Sequence, residues 1–430
     1  MKLAVCTLGC KVNTYESEYL IEQFINKGYE LVDFINDSAD LYIINTCTVT
    51  STSDSKSRKM IRHARKMNSK AIIVVMGCHT QNKDNALKAL EYADIVLGTT
   101  KKNEVLNLVE KYKTTHEKIL INEDSSKAEF DNMKVSNFHT RTRAFVKIQD
   151  GCNNFCSYCI IPYMRGRVRS KKPSDVIDEI TNLVNNGYKE VVLTGIHTGH
   201  YGSDLDNYDF SDLLIELEKI EGLERIRISS IEITELNDKF METLKKSKKI
   251  VNHIHIPLQA GSNHILKLMN RKYDKAYFME RINTIKSIRP SIAITTDTIV
   301  GFPGETEEDF IETLEFVEEL DLAGGHAFPY SNREGTAASK MKGQLTKEVK
   351  HERVKKLISK FDMLEERYYK KYINKEVVII PETYEDGYLV GHTENYLKVK
   401  VLGCEKLIGS DVSVIINNYE NKILLGTIKE

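Results

Sequence analysis

Three cysteines stand within eight positions of "GCNNFCSYCIIP", at Cys152, Cys156 and Cys159. The spacing C-x3-C-x2-C brings three thiols to one point. Thiolates are soft ligands that bind iron–sulfur clusters, zinc and Cu(I). Three of them can hold three irons of a four-iron cube and leave the fourth iron open. The alternatives are a zinc knuckle lacking a partner or a redox C-x2-C pair. Structural zinc takes four ligands, and no histidine lies within the loop to complete a set.

A second triad is dispersed. Cys10 in "TLGCKVN", Cys47 in "NTCTVTS" and Cys78 in "MGCHTQ" each follow a short β-branched run. In a parallel sheet covered by helices, the C-terminal strand ends share one edge, and ligands bind there. Cysteines more than thirty residues apart therefore meet at that edge. Small cysteines also pack at strand ends without a ligand, but three at equivalent places in successive units point to a soft metal. Three ligands again leave one coordination position open. Cys404 belongs to neither set and reads as a small apolar residue of the last domain.

Positioning these thiols requires an α/β scaffold. "KLAVCTL", "LYIIN", "AIIVVM" and "DIVLG" read as strands separated by amphipathic helices, so residues 1–115 predict a parallel-sheet domain. Residues 116–140 are polar, weakly periodic and expected to be a linker. From "AFVKIQ" onward six more strand–helix units predict a partial α/β barrel over 141–370, with its site at the strand C-termini. The long charged helix "TKEVKHERVKKLISKFDMLEERYYKKY" closes it. Residues 371–430 carry short strands with Gly, Asn and Asp turns, the pattern of a small β-barrel.

At 430 residues the chain has room for two or three cores. Lys and Arg number 61 against 62 for Asp and Glu, so net charge cannot draw the chain to nucleic acid. Any such contact must be local. No apolar run approaches the ~20 residues of a membrane span. The first residues lack a secretory pattern, and the expected location is the cytoplasm, where thiols stay reduced.

Local basic runs do exist. "RGRVRSKK" follows the cysteine loop and offers Arg165, Arg167, Arg169 and Lys171 for phosphate contact. The three arginines alternate, so all can face one RNA strand only in an irregular loop. "KSRKMIRHARK", beside Cys47, offers Arg58 and Arg62. "KKSKK" reads as the solvated end of a helix. In the last domain His392, Tyr396 and Lys398 are candidates to stack on or pair with RNA, although Tyr396 equally suits a core.

With Tyr158 before its last cysteine, the loop at the start of an α/β barrel resembles the radical S-adenosylmethionine (SAM) enzymes. That resemblance implies SAM chelated at the open iron and cleaved to a 5′-deoxyadenosyl radical. Together with the dispersed triad and the terminal barrel, nearly the whole chain resembles the radical SAM methylthiotransferases. The barrel is similar to the TRAM domain, an RNA-binding module. "TLGCKVN" and "RGRVRS" most resemble the MtaB-type branch, which acts on N6-threonylcarbamoyladenosine at position 37 of tRNA.

The resemblance implies two 4Fe–4S clusters, an auxiliary one on Cys10, Cys47 and Cys78 and a SAM-binding one on Cys152, Cys156 and Cys159. One SAM would methylate sulfur at the auxiliary cluster, and a second would yield the radical that activates carbon 2 of the base. A radical suits that step, because the hydrogen replaced is not acidic. The base must leave its stack to reach the metals. SAM contacts are implied at Gly195, Ile196, Ser229, Ser230, Gln259, Asp297 and Gly301. His197 departs from the smaller amide expected there. Also implied are a flavodoxin or ferredoxin as electron donor, a monomeric state and no membrane partner. The rival readings are methylthiolation of isopentenyladenosine or of a ribosomal protein, and a non-catalytic zinc-bound RNA-binding protein.

Overall fold

A computed structural model describes residues 1–139 and 142–429. The boundary expected between residues 140 and 141, and the last residue, lie outside them.

The N-terminal domain is built on six parallel strands. Their order is Glu30–Val32, Lys2–Thr7, Leu41–Thr46, Ile72–Gly77, Ile95–Leu97 and Ile119–Ile121. Leu41–Thr46 is buried along its whole length, as a central parallel strand covered on both faces must be. Leu20, Phe24, Val105 and Val109 of two helices pack one face. Ile61, Ala64, Ala86 and Ala89 of two others pack the opposite face. Strand order reverses between Lys2–Thr7 and Leu41–Thr46, which makes their C-terminal ends the ligand-binding crevice of such a sheet.

All four strands read from the sequence are present, and two three-residue strands join them at the edges. Ile119–Ile121 falls in the segment expected as a linker. Met133, Val135 and Phe138 of the same segment are buried in the core of the central domain. The segment is thus packed structure that joins two domains.

The central domain is an arc of six parallel strands. In order they are Ala144–Lys147, Glu190–Thr194, Arg225–Ile228, His253–His255, Ala293–Val300 and Gly324–Pro329. A single bridge between Ile226 and Ile250 joins its two three-stranded halves. Among the described residues no pairing closes the first strand on the last, so the barrel is partial. Helix Lys347–Lys370 contributes Leu357, Phe361 and Leu364 to this core, and Tyr368 and Tyr369 to that of the next domain.

The C-terminal domain is a closed five-stranded barrel. Ile379, Leu389, Val399, Val414 and Ile416 fill it. Cys404 is exposed and takes no part in that core, contrary to its small apolar character.

Lys171 corrects one expectation outright, because it is buried and cannot meet RNA. Its Nζ donates to the carbonyl of Met133 at 2.7 Å and pairs with Glu179. Glu179 also accepts from Tyr15 Oη at 2.8 Å and from the N–H of Val135 at 2.9 Å. Burial pushes Lys171 down and Glu179 up, toward neutral forms, and their mutual attraction opposes it. This network ties the first helix, the connecting segment and the central domain together. Lys171→Met strands a buried carboxylate and is expected to cost about 3–5 kcal/mol. Urea unfolding reads it; an unmoved midpoint would show that the pair contributes nothing.

Candidate metal and cofactor site

The dispersed cysteines lie at or a few residues before helix starts at the sheet crevice. Cys10 is the N-cap of helix Lys11–Asn26, Cys47 precedes helix Ser51–Met67, and Cys78 opens the short helix Cys78–Gln81. Backbone N–H groups and the helix dipole favour negative charge at such places, which suits thiolates. Gly9 has φ +106°, and a Cβ there would lie 2.9 Å from Cys47 Sγ. Only glycine lets the first two loops close so tightly. Burial pushes Cys47 up to about 11, with Cys78 and Cys10 adding to the shift. Cys10 Sγ lies 3.8 Å from Asn13 Oδ1, which accepts from the same Arg165 that donates to Cys78 Sγ at 3.3 Å, so the thiols have converged. Among the described residues all are unpaired, so the donor set fits a soft-metal cluster.

The loop triad of Cys152, Cys156 and Cys159 is joined to the dispersed one through Arg165, which donates to Cys78 Sγ at 3.3 Å. Its loop is held at both ends: the N–H of Cys152 donates to the carbonyl of Gly166 at 3.0 Å, and that of Cys159 to Cys156 at 2.9 Å. Burial pushes Cys159 up to about 12. Arg271 donates to Tyr158 Oη at 2.9 Å and to Glu232 at 3.0 Å, and Asn154 donates to the same carboxylate at 2.7 Å. These contacts clamp the loop. Sequence reading missed Arg271 and Glu232, since neither stands in a motif.

A cleft of about 390 Å³ opens over this loop, lined by Cys152, Cys156, Cys159, Ile196, Ser230, Gln259 and Asp297. Its size suits a small molecule, and three thiols on one wall fit a cluster with a ligand on its open side. Asp297 is desolvated, yet hydrogen bonds from His255 and His326, both at 3.2 Å, hold its carboxyl well below the usual range. Three expected contacts lie beside the cleft and do not line it. Gly195 abuts Gln149, and any Cβ there would meet that side chain at 2.8 Å. Ser229 is tucked under the strand end, and Gly301 donates to Glu305 at 2.6 Å.

His197, the residue that departs from expectation, is wired to the loop. Its Nδ1 is 3.6 Å from Cys152 Sγ, and its N–H donates to Gln149 Oε1 at 2.8 Å. Glu235 lies 2.7 Å from Nε2, off the ring's hydrogen-bonding axis. Burial disfavours the imidazolium, but Cys152 and Glu235 outweigh it and raise the group to about 10.

Residues 146–317 match the Radical SAM superfamily, and residues 2–98 match "Uncharacterized protein family UPF0004". The threonylcarbamoyladenosine tRNA methylthiotransferase MtaB of Bacillus subtilis is 47% identical over 96% of this chain and 93% of its own. The chain belongs to the radical SAM methylthiotransferase family. A tRNA-2-methylthio-N(6)-dimethylallyladenosine synthase of Clostridium perfringens is 35% identical over 99% of this chain and 97% of its own. The fold resembles the radical SAM methyltransferase TsrM of Kitasatospora setae, with TM-score 0.56 and 15% identity over 76% of this chain and 72% of that one.

In this methylthiotransferase the arginine-rich run divides. Arg167 is exposed, with its guanidinium 4.9 Å from the Phe155 ring centre. Arg169 is buried and donates to the carbonyls of Ser125, Arg165 and Arg167 at 2.7–3.2 Å. Arg165 is 0% exposed. Neither of these two can meet RNA phosphates, because both guanidiniums are buried inside the protein. Tyr396 is also engaged: it stacks on His392 at 4.7 Å and on His253 at 4.9 Å, with Arg227 and Arg143 over its ring. His392 lies 2.6 Å from Glu382. Both residues thus serve the contact between terminal barrel and central arc, while Tyr396 keeps 38% of its surface exposed. Lys398, Arg58 and Arg62 are exposed.

Proposed function

We propose that this protein adds a methylthio group to carbon 2 of N6-threonylcarbamoyladenosine at position 37 of tRNA. The observation that carries this reading is the 47% identity, across nearly the whole chain, with a relative named for threonylcarbamoyladenosine. Relatives named for the dimethylallyl substrate stand at 35–36%. Two 4Fe–4S clusters and SAM, when bound, supply the radical chemistry that an unactivated aromatic C–H requires. Cys152, Cys156 and Cys159 would hold one cluster and Cys10, Cys47 and Cys78 the other. Ile196, Ser230, Gln259 and Asp297 line the space beside the first, where the ionised Asp297 suits SAM hydroxyls. Mass spectrometry of nucleosides from tRNA incubated with reconstituted enzyme, SAM, sulfide and reductant tests the reading. A methylthio mass on threonylcarbamoyladenosine supports it, and a product on isopentenyladenosine alone overturns it.

RNA contact rests on the exposed cations that remain. Arg58, Arg62 and Lys88 line a groove of about 270 Å³, and Tyr92 lies beneath the Arg62 guanidinium at 5.7 Å. Phosphates held there would release counterions, one for each cation engaged. Changing Arg58, Arg62 and Arg167 together to Ala is expected to weaken tRNA binding and to reduce the salt slope of log K by about 2–3. Filter binding across a salt series measures it, and an unchanged slope assigns all three to solvated faces. The same reading makes the protein a cytoplasmic monomer that draws electrons from a flavodoxin or ferredoxin. Among the described residues no helix is long and apolar enough to cross a membrane.

A further inference from the structure

Arg165 ends the five-residue helix Ile161–Arg165, which begins two residues after Cys159. That short helix carries the Arg165 guanidinium from the loop triad to Cys78 of the dispersed one. There its Nε donates to Cys78 Sγ at 3.3 Å. One terminal nitrogen donates to Glu16 and to both Asp150 oxygens, each at 3.1 Å, and the other to Asn13 Oδ1 at 2.6 Å. Asn13 in turn anchors the first loop, donating to the carbonyls of Leu8 at 2.7 Å and Thr46 at 3.0 Å.

The charges around it do not cancel. Lys102, Lys147 and Arg165 face the two carboxylates Glu16 and Asp150, all buried. A further acid, Asp131, receives the N–H groups of Lys101 and Lys102 at 3.2 Å; burial pushes both it and Lys102 toward their neutral forms, and a third fixed cation, Arg169, lies 3.8 Å from Asp150. An unbalanced buried cation is costly. The side of Arg165 not taken by these carboxylates or by Asn13 meets the sulfur of Cys78. Of the cations in this network, Arg165 donates a hydrogen bond to a triad thiol.

The structure assigns Arg165 as the positioning residue of the auxiliary site, hydrogen-bonding the Cys78 thiolate and setting the reduction potential of the cluster held there. Potentials of iron–sulfur clusters follow net charge and hydrogen bonds to sulfur. A fixed positive charge with an N–H donor stabilises the more negative, reduced state and so raises the potential. Because Arg165 sits on the chain that leaves the other triad, the same contact fixes the two sites relative to each other. The inference rests on the reading that Cys10, Cys47 and Cys78 bind a cluster.

The test uses full-length protein in which Cys152, Cys156 and Cys159 are replaced by Ala, so that only the auxiliary cluster is read. Arg165→Gln is expected to move its midpoint potential down and to alter the EPR signal of its reduced form. Arg165→Lys keeps the charge and is expected to restore most of the potential. Asp150→Asn removes a buried negative charge and is expected to move the potential up. Opposite signs for the two neutralising changes separate electrostatics from loosened packing, which would move both one way. Should Arg165→Gln fail to load iron, the Lys and Asp150→Asn variants decide. Unchanged potentials at full iron content, or shifts of one sign in both, overturn the role of Arg165. Absence of iron in the parent triple variant would instead refute the auxiliary cluster.

Discussion

Replacing Cys152, Cys156 and Cys159 with Ala is expected to leave about half of roughly eight irons and no detectable SAM cleavage. Replacing Cys10, Cys47 and Cys78 is expected to halve the iron as well, yet leave reductive SAM cleavage measurable. The asymmetry follows from geometry. Only the first triad lines the cleft in which Ile196, Gln259 and Asp297 are placed to receive a cofactor. The second lies across the interface on the edge of a different sheet, held at the crevice by helix N-termini. Iron analysis and quantitation of 5′-deoxyadenosine under anaerobic reduction separate the two sets. One zinc and no iron in the unmodified protein would sink both assignments and favour a non-catalytic metal-bound protein.

The parts of this site legible in the sequence were those written locally. A β-branched run followed by cysteine is a local pattern, and the geometry of parallel sheets then places three such cysteines on one edge. Short edge strands escaped because three residues such as Glu30–Val32 carry almost no periodicity. The arginine run misled for a different reason. A cluster of like charge normally marks a solvated face, and what overrides that rule lies far away along the chain. Glu16, the partner of Arg165, is 149 residues upstream. Nothing within the run itself distinguishes Arg165, wired to Cys78, from Arg167, which stays at the surface. Tyr396 is similar: its stacking partner His253 belongs to another domain, so an exposed aromatic and an interdomain wedge look alike in sequence.

Substrate choice turns on the same redistribution of cations. The threonylcarbamoyl substituent ends in a carboxylate, whereas an isopentenyl group is wholly apolar, so the former calls for a cation in the cleft. Arg165 and Arg169 are committed elsewhere and cannot supply it. The cation we infer for that role is Lys11, directly after Cys10 in the same "TLGCKVN" stretch. Among the described residues its ammonium makes no ion pair, and it is near enough to Asp297, Arg143 and Arg227 to feel their charges. It is therefore within electrostatic range of both Cys10 and Asp297. A charge-assisted hydrogen bond contributes about 1.5–3 kcal/mol. Lys11→Ala is accordingly expected to lower kcat/KM on threonylcarbamoyl tRNA by about tenfold or more, mostly through KM. Discrimination against isopentenyl tRNA should shrink in the same proportion. Iron content must be measured beside it, because the neighbouring Cys10 could be disturbed. An unchanged kcat/KM at full iron would remove Lys11 from carboxylate recognition.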